Sequence, residues 1–301
     1  MRKHFVFIIP LLLCLTCAQP IDVEPGTPEL LYEGFVGLSP ELSPDGKYLA
    51  LPEQRWVGDS EAVDILLLDV ESGEVMNLTQ YNPSDGIPQA AMRPCWAPDS
   101  QTVYFIQVII EYDEPIYSIC RIPSIGGDIV PLLTLFEAHL LAVNGAGSEL
   151  AFVYKDEDHV THIERYRLAN GMLTPAPGGD GVDVTSLRYT PDGDALMATI
   201  GRDPDIPYRS DVVLFPLDGG EPVEFDCRFD WPPTRVSFSP DGQQCLFQCF
   251  QYHCVVPITG GEGTYLLPDV WGEITRGAWF SDGYIYFVLD WNEIWRYEPQ
   301  L

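Results

Sequence analysis

Short apolar runs, each entered through a polar turn, recur along the whole chain. Within a run consecutive residues are apolar, which is typical of strands buried on both faces, whereas a half-exposed strand alternates between apolar and polar residues. The runs are 48–51, 103–106, 150–153, 195–198, 245–247 and 284–288. We therefore predict one doubly buried strand after each turn.

The turn before each run is a four-residue phrase, best written as Ser43-Pro44-Asp45-Gly46. Proline presets φ for the first corner of a type I turn, aspartate suits the second, and glycine accepts the positive φ that follows. Further copies begin at Ala97, Thr190 and Ser239, and degenerate copies at Asn144 and Phe280. Successive copies are 41 to 54 residues apart, and a period of this size indicates a repeat architecture.

A second turn, rich in glycine, recurs later in the first five units, at 72–74, 126–128, 170–172, 219–221 and 260–262. We predict a strand before it, such as 64–68, and a shorter strand after it, such as 75–78. Each unit is then a four-stranded antiparallel blade, and blades repeated around an axis form a propeller. The sixth unit lacks a fourth strand, so we predict that 29–33 completes it, closes the ring and removes its open edges.

The units resemble the WD40-like (PD40) repeats of TolB-type six-bladed propellers. The resemblance rests on the Ser-Pro-Asp-Gly turns and on the later Gly-Gly turns at 126–127, 219–220 and 260–261, and it spans about residues 27–301. It implies an all-β, six-bladed β-propeller with four-stranded antiparallel blades. It also implies a role as an interaction platform in the cell envelope.

The first 18 residues have the parts of a signal peptide. Arg2 and Lys3 form the basic region, 5–15 is an apolar core, and Thr16-Cys17-Ala18 offers a small-residue cleavage site. We expect 1–18 to be removed, 19–26 to be a short leader, and 27–301 to be a single propeller domain. The protein is then periplasmic or secreted. The alternatives are a short membrane anchor and a lipoprotein tethered through Cys17; no other segment is long and apolar enough to cross a membrane.

The charge of the chain constrains its partners. The formal net charge is −29, which disfavours binding to nucleic acid and to anionic lipid headgroups. It favours cations, basic partners or simple solubility. Acidic clusters at 156–158, 180–183 and 203–205 keep calcium open as a ligand, although none of them matches an EF-hand loop. No other cofactor is expected.

The cysteines after residue 18 number six: Cys95, Cys120, Cys227, Cys245, Cys249 and Cys254. An even number in an exported protein permits disulfides without fixing their connectivity. Cys249 and Cys254 flank a predicted hairpin loop, which makes them the candidate pair. The alternative is that the cysteines are small apolar core residues.

The connections between the second and third strands of the blades are long and gather on one face of the ring. They carry aromatic residues and arginines beside carboxylates, a combination typical of recognition surfaces. The candidate binding residues are Arg55, Trp56, Glu111, Tyr112, Asp156, His159, Asp203, Tyr208 and Arg209. Our leading hypothesis is a non-enzymatic protein or peptide binder that uses this face or the axial funnel.

The rival hypothesis is a propeller enzyme of the polysaccharide lyase or calcium-dependent lactonase type. Such an enzyme needs a metal and a base at the axis, so His139, His159, His162 and His253 would have to converge there with carboxylates. A serine hydrolase of the α/β type is excluded because the chain has no Gly-x-Ser-x-Gly motif. A third possibility is a purely structural envelope protein.

Overall fold

A computed structural model describes residues 27–34, 40–57, 60–81, 87–112, 114–201, 210–228, 233–249, 252–266 and 274–299. Within these ranges the chain forms 26 strands and no helix, so no helix of the described part could cross a membrane. The strands are β1 (Glu29–Glu33), β2 (Glu41–Leu42), β3 (Tyr48–Val57), β4 (Ser60–Asp69), β5 (Val75–Asn77), β6 (Gln89–Trp96), β7 (Thr102–Glu111), β8 (Glu114–Pro123), β9 (Val130–Leu135), β10 (Glu137–Val143), β11 (Glu149–Lys155), β12 (Thr161–Arg167), β13 (Met172–Pro175), β14 (Asp183–Tyr189), β15 (Ala195–Gly201), β16 (Ser210–Pro216), β17 (Val223–Glu224), β18 (Cys227–Arg228), β19 (Pro233–Phe238), β20 (Gln244–Cys249), β21 (Tyr252–Pro257), β22 (Gly261–Glu262), β23 (Thr264–Leu266), β24 (Ile274–Trp279), β25 (Ile285–Leu289) and β26 (Glu293–Tyr297).

These strands build six four-stranded antiparallel blades, as the repeat predicts. Blades 1 to 6 are β2–β5, β6–β9, β10–β13, β14–β17, β19-β20-β21-β23 and β24-β25-β26-β1. A short parallel pairing of β4 with β6 links blades 1 and 2, and β18 pairs with β22 beside blade 5. The prediction for 29–33 is confirmed, because β1 pairs antiparallel with β26 and so completes blade 6.

The core consists of six apolar clusters, and each cluster lies between two neighbouring blades. Blade 1 shows the arrangement. Ala50 packs in the cluster shared with blade 2, whereas Leu49 and Leu51 pack in the cluster shared with blade 6. The doubly apolar runs of the sequence are therefore strands with one neighbouring blade on each side, which confirms that prediction.

The first strands of the blades line the axis of the ring. β2, β6, β10, β14, β19 and β24 contact one another in this order around the ring. Blades 6 and 1 also adjoin, since the Ser281 hydroxyl donates a hydrogen bond of 3.2 Å to the carbonyl oxygen of Pro44. The ring is thereby closed, and each first strand runs from one face of the ring to the turn on the opposite face.

The repeated turn is held by its own side chains. The Ser43 hydroxyl donates to Asp45 Oδ1 at 2.6 Å and accepts from the backbone N–H of Tyr48 at 2.9 Å. Thr190 and Ser239 bond to the aspartate two residues later in the same way. Gly46 has a φ of 76°, in the left-handed region where a side chain costs energy. The phrase is thus a structural turn motif, and its internal hydrogen bonds explain why it recurs.

The six cysteines are free, and five of them are buried. The candidate disulfide between Cys249 and Cys254 is wrong for a reason of register. Cys249 pairs with Tyr252, and Cys254 pairs with Phe247, two residues further along the hairpin. Diagonal neighbours of this kind have Cβ atoms about 7 Å apart, whereas a disulfide needs about 4 Å. Both thiols pack in the apolar cluster between blades 4 and 5, which fits the alternative of cysteine as a core residue.

His253 is a fully buried histidine between blades 5 and 6. Its Nδ1 shares a hydrogen bond of 2.9 Å with the Tyr297 hydroxyl, and its ring stacks on the Tyr297 ring. Its Nε2 has no hydrogen-bond partner within the described part of the chain, and a Cβ at position 277 would overlap that nitrogen, so Gly277 makes room for the ring. Burial lowers the pKa of His253 to about 3; this interface therefore holds a neutral imidazole.

We expect the stability of the fold to depend on pH through His253. The histidine of the unfolded chain has a pKa near 6.5. Below that pH the unfolded state binds a proton that the folded state does not bind, so the free energy of unfolding falls. The free energy of unfolding of the wild type should fall relative to that of His253→Asn by up to about 1.4 kcal/mol per pH unit between pH 6 and 4. Denaturant unfolding at each pH measures it; parallel curves for the two proteins would contradict the assignment.

Candidate functional site: the loop face

One face of the ring collects the connections that the turn motif does not occupy. In an antiparallel blade the connection between the second and third strands lies at the same end as the link to the next blade. This end, which we call the loop face, includes the strand ends at Val57, Ser60, Glu111 and Glu114 and the connections 155–161 and 289–293, together with the described parts of the interblade links. Because the blades hold these segments on fixed strand ends, the loop face is the place where a propeller can vary its sequence without disturbing its core.

Exposed apolar side chains concentrate on the loop face of blades 1 to 3. Tyr112 is 98% exposed and Trp56 is 67% exposed. We define the apolar crest as Trp56, Ile110, Tyr112, Ile116, Phe136 and Val160, all of them exposed. Large aromatic side chains supply most of the binding energy in protein interfaces when a partner covers them. The crest thus has the composition of a contact surface.

Carboxylates lie on the same face as the apolar crest. Exposed acidic residues on the same face of blades 2 and 3 are Glu111, Glu114, Glu157, Asp158 and Asp180. A charge pattern of this kind attracts a positively charged partner and repels an acidic one. The combination of exposed aromatic rings and exposed carboxylates on one face suits a basic partner with apolar anchors.

The backbone fixes two of the predicted recognition residues in unusual conformations. Tyr112 has a φ of 52° and His159 a φ of 59°, values that non-glycine residues seldom adopt. The His159 turn is closed by Asp156, whose side chain accepts from the N–H groups of Asp158 and Val160 at 3.0 and 2.9 Å. The His159 ring lies edge-on to Phe136, with ring centroids 5.9 Å apart, next to the crest.

Asp156 also ties its loop to the next interblade link through His162. His162 Nε2 lies 2.9 Å from Asp156 Oδ2, and His162 Nδ1 lies 2.8 Å from Asp180 Oδ1. The hydrogen bonds from Asp156 and then Asp180 raise the pKa of His162, and the same contact with His162 lowers the pKa of Asp156. Asp156 therefore shapes and anchors its loop, a role that the sequence did not indicate.

Arg55 also has a structural role. Its guanidinium forms an ion pair with Asp64 and donates to the carbonyl oxygen of Tyr81. The Asp64 side chain is fully buried and also accepts from the Thr79 hydroxyl and the Tyr81 N–H, both at 2.8 Å. These bonds pin the long β3–β4 hairpin of blade 1, so Trp56 projects from a fixed hairpin.

The remaining candidates separate into two groups. Trp56, Glu111, Tyr112 and His159 lie exposed on the loop face as expected, and their role in binding stays a prediction. Asp203, Tyr208 and Arg209 lie outside the described residues.

Three of the four histidines after residue 18 lie in blade 3, and the fourth is the buried His253. His139 Nε2 is 3.0 Å from Glu137 Oε1, and burial lowers the pKa of His139 despite that neighbour. Within the described part of the chain, no group of three or more His, Cys, Asp or Glu side chains could hold a metal ion.

Residues that the sequence reasoning missed lie on the axis. A cavity there is lined by Arg93, Arg188 and Arg235, with Glu41 among them. The sequence does carry a signal, since Arg93 and Arg235 each stand four residues before the first residue of the repeated turn, as does Arg276. That position gains meaning only once the first strands are known to face one axis.

We expect Arg55→Ala to destabilise the fold by about 3 kcal/mol, because it leaves a buried carboxylate without its counter-charge. The double variant Arg55→Ala, Asp64→Asn should recover part of this loss. Arg121→Ala, at an exposed position of β8, is the control and should change the free energy of unfolding little. Denaturant unfolding provides all three values. A loss below about 0.5 kcal/mol for Arg55→Ala would show that the ion pair does not support the hairpin.

Comparison with solved structures identifies the fold. A candidate TolB from Agrobacterium tumefaciens superposes with a TM-score of 0.61 at 18% identity, covering 90% of this chain and 91% of that one. A candidate gluconolactonase gives a TM-score of 0.61 at 13% identity, covering 93% and 94%. A chain of a nidogen/laminin complex gives 0.59 at 14% identity, covering 81% and 86%. No protein-family profile and no curated protein sequence matches the chain. The fold is therefore that of the TolB-like propellers.

Proposed function

We propose that this chain is an exported, non-enzymatic propeller that binds a protein or peptide on its loop face and acts as an interaction platform in the cell envelope. The apolar crest is the observation that carries the proposal. Trp56 and Tyr112 are large, exposed side chains on the same face. A partner that covers them removes apolar surface from water, which stabilises the complex. Exposed patches of this kind on a soluble domain are typical of interaction sites.

The fixed geometry of the loop face supports a binding role. The ion pair of Arg55 with Asp64 holds strands β3 and β4 together, and the Asp156–His162–Asp180 bridge holds the 155–161 loop, both without a partner. A preformed surface loses less conformational entropy on binding than a mobile one does. Rigid loops with exposed aromatic rings therefore suit recognition.

The chemistry of the partner follows from the surrounding charges. The carboxylates beside the crest and the formal net charge of −29 favour a basic surface or a lysine- and arginine-rich segment with apolar anchors. The nidogen/laminin neighbour was solved as a complex, which is consistent with a propeller that binds proteins. Export rests on the signal-peptide pattern of residues 1–18, with lipid attachment at Cys17 as the alternative route to the envelope.

Site-directed photocrosslinking in intact cells tests the proposal. A photoreactive amino acid at position 112 should give one discrete adduct with a basic protein, because Tyr112 stands on the crest. The matched control is position 125: Ile125 is 89% exposed but lies at a turn on the opposite face. The adduct should weaken when Glu111→Lys and Glu114→Lys are added. Equal labelling from both positions, or none from position 112, would contradict a loop-face partner.

A further inference from the structure

The Asp156–His162–Asp180 bridge joins two parts of the loop face that belong to different connections. Asp156 begins the connection 156–160 of blade 3, which we call the blade-3 hairpin, and Asp180 lies in the link 176–182 that leads to blade 4. His162, the second residue of β12, lies between them. The side chain of His162 is 23% exposed, and those of Asp156 and Asp180 are 37% and 70% exposed. The bridge is therefore accessible to protons from solvent.

Both ring nitrogens of His162 face a carboxylate oxygen. Nε2 lies 2.9 Å from Asp156 Oδ2, and Nδ1 lies 2.8 Å from Asp180 Oδ1. An ionised carboxylate only accepts hydrogen bonds, and a neutral imidazole has a single N–H group to donate. Both contacts are hydrogen bonds only when the ring carries two protons. The geometry is therefore that of an imidazolium between two carboxylates.

The other groups next to His162 also favour its positive charge. The Tyr154 ring on β11 lies 5.1 Å from the His162 ring, within the range at which an aromatic ring attracts a cation. The Tyr154 hydroxyl donates to Glu164 Oε1 at 3.3 Å. Burial and then the charge of Glu164 raise the pKa of Tyr154 to about 12, so this phenol stays neutral. The hydrogen bonds with Asp156 and then Asp180 raise the pKa of His162.

Asp156 connects the bridge to the blade-3 hairpin. While Asp156 Oδ2 contacts His162, Oδ1 of the same carboxylate accepts from the N–H groups of Asp158 and Val160 at 3.0 and 2.9 Å. The His159 N–H also donates to the Asp156 carbonyl oxygen, at 2.9 Å. Val160 belongs to the apolar crest and is 39% exposed. The position of this part of the crest therefore depends on where the Asp156 side chain is held.

Asp180 connects the bridge to the link between blades 3 and 4. The link lies close against β12, because a Cβ at position 179 would lie only 2.9 Å from the Ile163 side chain. The Gly181 N–H donates to the Thr161 carbonyl oxygen at 2.8 Å. Gly181 has a φ of 75°, and glycine leaves a segment many conformations unless contacts restrict it. The Gly181 bond therefore reports whether the link stays against β12.

Loss of one proton changes one side of the bridge from attraction to repulsion. A neutral His162 donates to one carboxylate, and its other nitrogen then presents a lone pair to the second carboxylate. Asp156 and Asp180 also lose the positive charge between them, next to the exposed carboxylates of Glu157 and Asp158 on the same hairpin. Like charges at close range repel one another. A neutral His162 therefore favours separation of the blade-3 hairpin from the link.

We propose that the Asp156–His162–Asp180 bridge is a pH-sensitive latch on the loop face, which holds the blade-3 hairpin against the link when His162 is protonated and releases it when His162 is neutral. The closed latch binds the proton more tightly than the unfolded chain does. It is therefore fully engaged below about pH 6.5 and is lost as the pH rises through the higher pKa of the folded state. The latch is a property of this chain alone, and only its effect on a bound partner rests on the proposed function.

NMR spectroscopy of the full chain without a partner, between about pH 5.5 and 8.5, tests the latch. We expect the His162 ring to titrate with a pKa above about 6.5. Solvent exchange of the Val160 and Gly181 amides, corrected for its intrinsic pH dependence, should accelerate through the same pKa. The acceleration should be about tenfold for each unit by which the pKa of His162 in the closed latch exceeds that in the released one. A ring that titrates at or below about pH 6.5, or amides that do not follow it, would overturn the proposal.

Variants assign the titration to the bridge. Asp180→Asn removes one charge and leaves Asp156 in place, so it should lower the pKa of His162 and weaken the pH dependence of Gly181 exchange. His162→Gln cannot be protonated, so its exchange at low pH should be as fast as that of the wild type at high pH. The control is His159→Asn on the same hairpin, where the side chain is 71% exposed and asparagine tolerates the positive φ. PH dependence that survives His162→Gln, or that disappears in His159→Asn, would contradict the latch.

Discussion

The structure depends on the burial of both faces of every blade against its two neighbours. A single four-stranded sheet of this size cannot bury its apolar side chains alone. Closing six sheets into a ring gives each sheet an apolar surface on both sides, and the six clusters between blades are the result. Hydrophobic burial scales with the apolar area removed from water, so the loss of one blade contact exposes two surfaces at once.

Because both faces of a blade are buried, residues that bind a ligand or partner can lie only at the edges of those faces. Residues in the middle of a blade must be apolar on both sides, as Leu49, Ala50 and Leu51 are. Chemically variable side chains are left at the strand ends and along the axis. The apolar crest lies at the strand ends, and the cavity lined by arginines lies on the axis. The buried polar groups between blades are correspondingly few and are bonded or neutral, as with Asp64 and His253.

The sequence predicted the fold well because its strongest signals are local. The turn phrase, the doubly apolar run after it and the unpaired strand at 29–33 each follow from short-range chemistry, and together they specify six closed blades. The Cys249–Cys254 pair failed because a two-residue offset in register separates residues that seem to face each other in a hairpin. Sequence spacing alone does not fix that offset.

The site was predicted only in part, for a physical reason. Exposed aromatic residues such as Tyr112 could be predicted from the sequence, because they lie in long loops flanked by polar residues. The roles of Arg55 and Asp156 depend on partners such as Asp64 and His162, which only the hairpin pairing brings within bonding distance. The axial arginines come from different blades, so their convergence exists only in the closed ring.

Strand β1 closes the ring by pairing with β26, and hydrogen exchange at β26 measures that closure. Replacing 29–33 with a Gly-Ser segment of equal length removes the pairing of Glu29 with Arg296 and of Glu33 with Glu293. Glu29→Gln, which removes the charge that pairs with Arg296 but keeps the strand, is the control. We expect the β26 amides to lose protection in the replacement alone, and its unfolding midpoint to drop by several degrees. Unchanged protection of β26 in the replacement would contradict closure by the N-terminal strand.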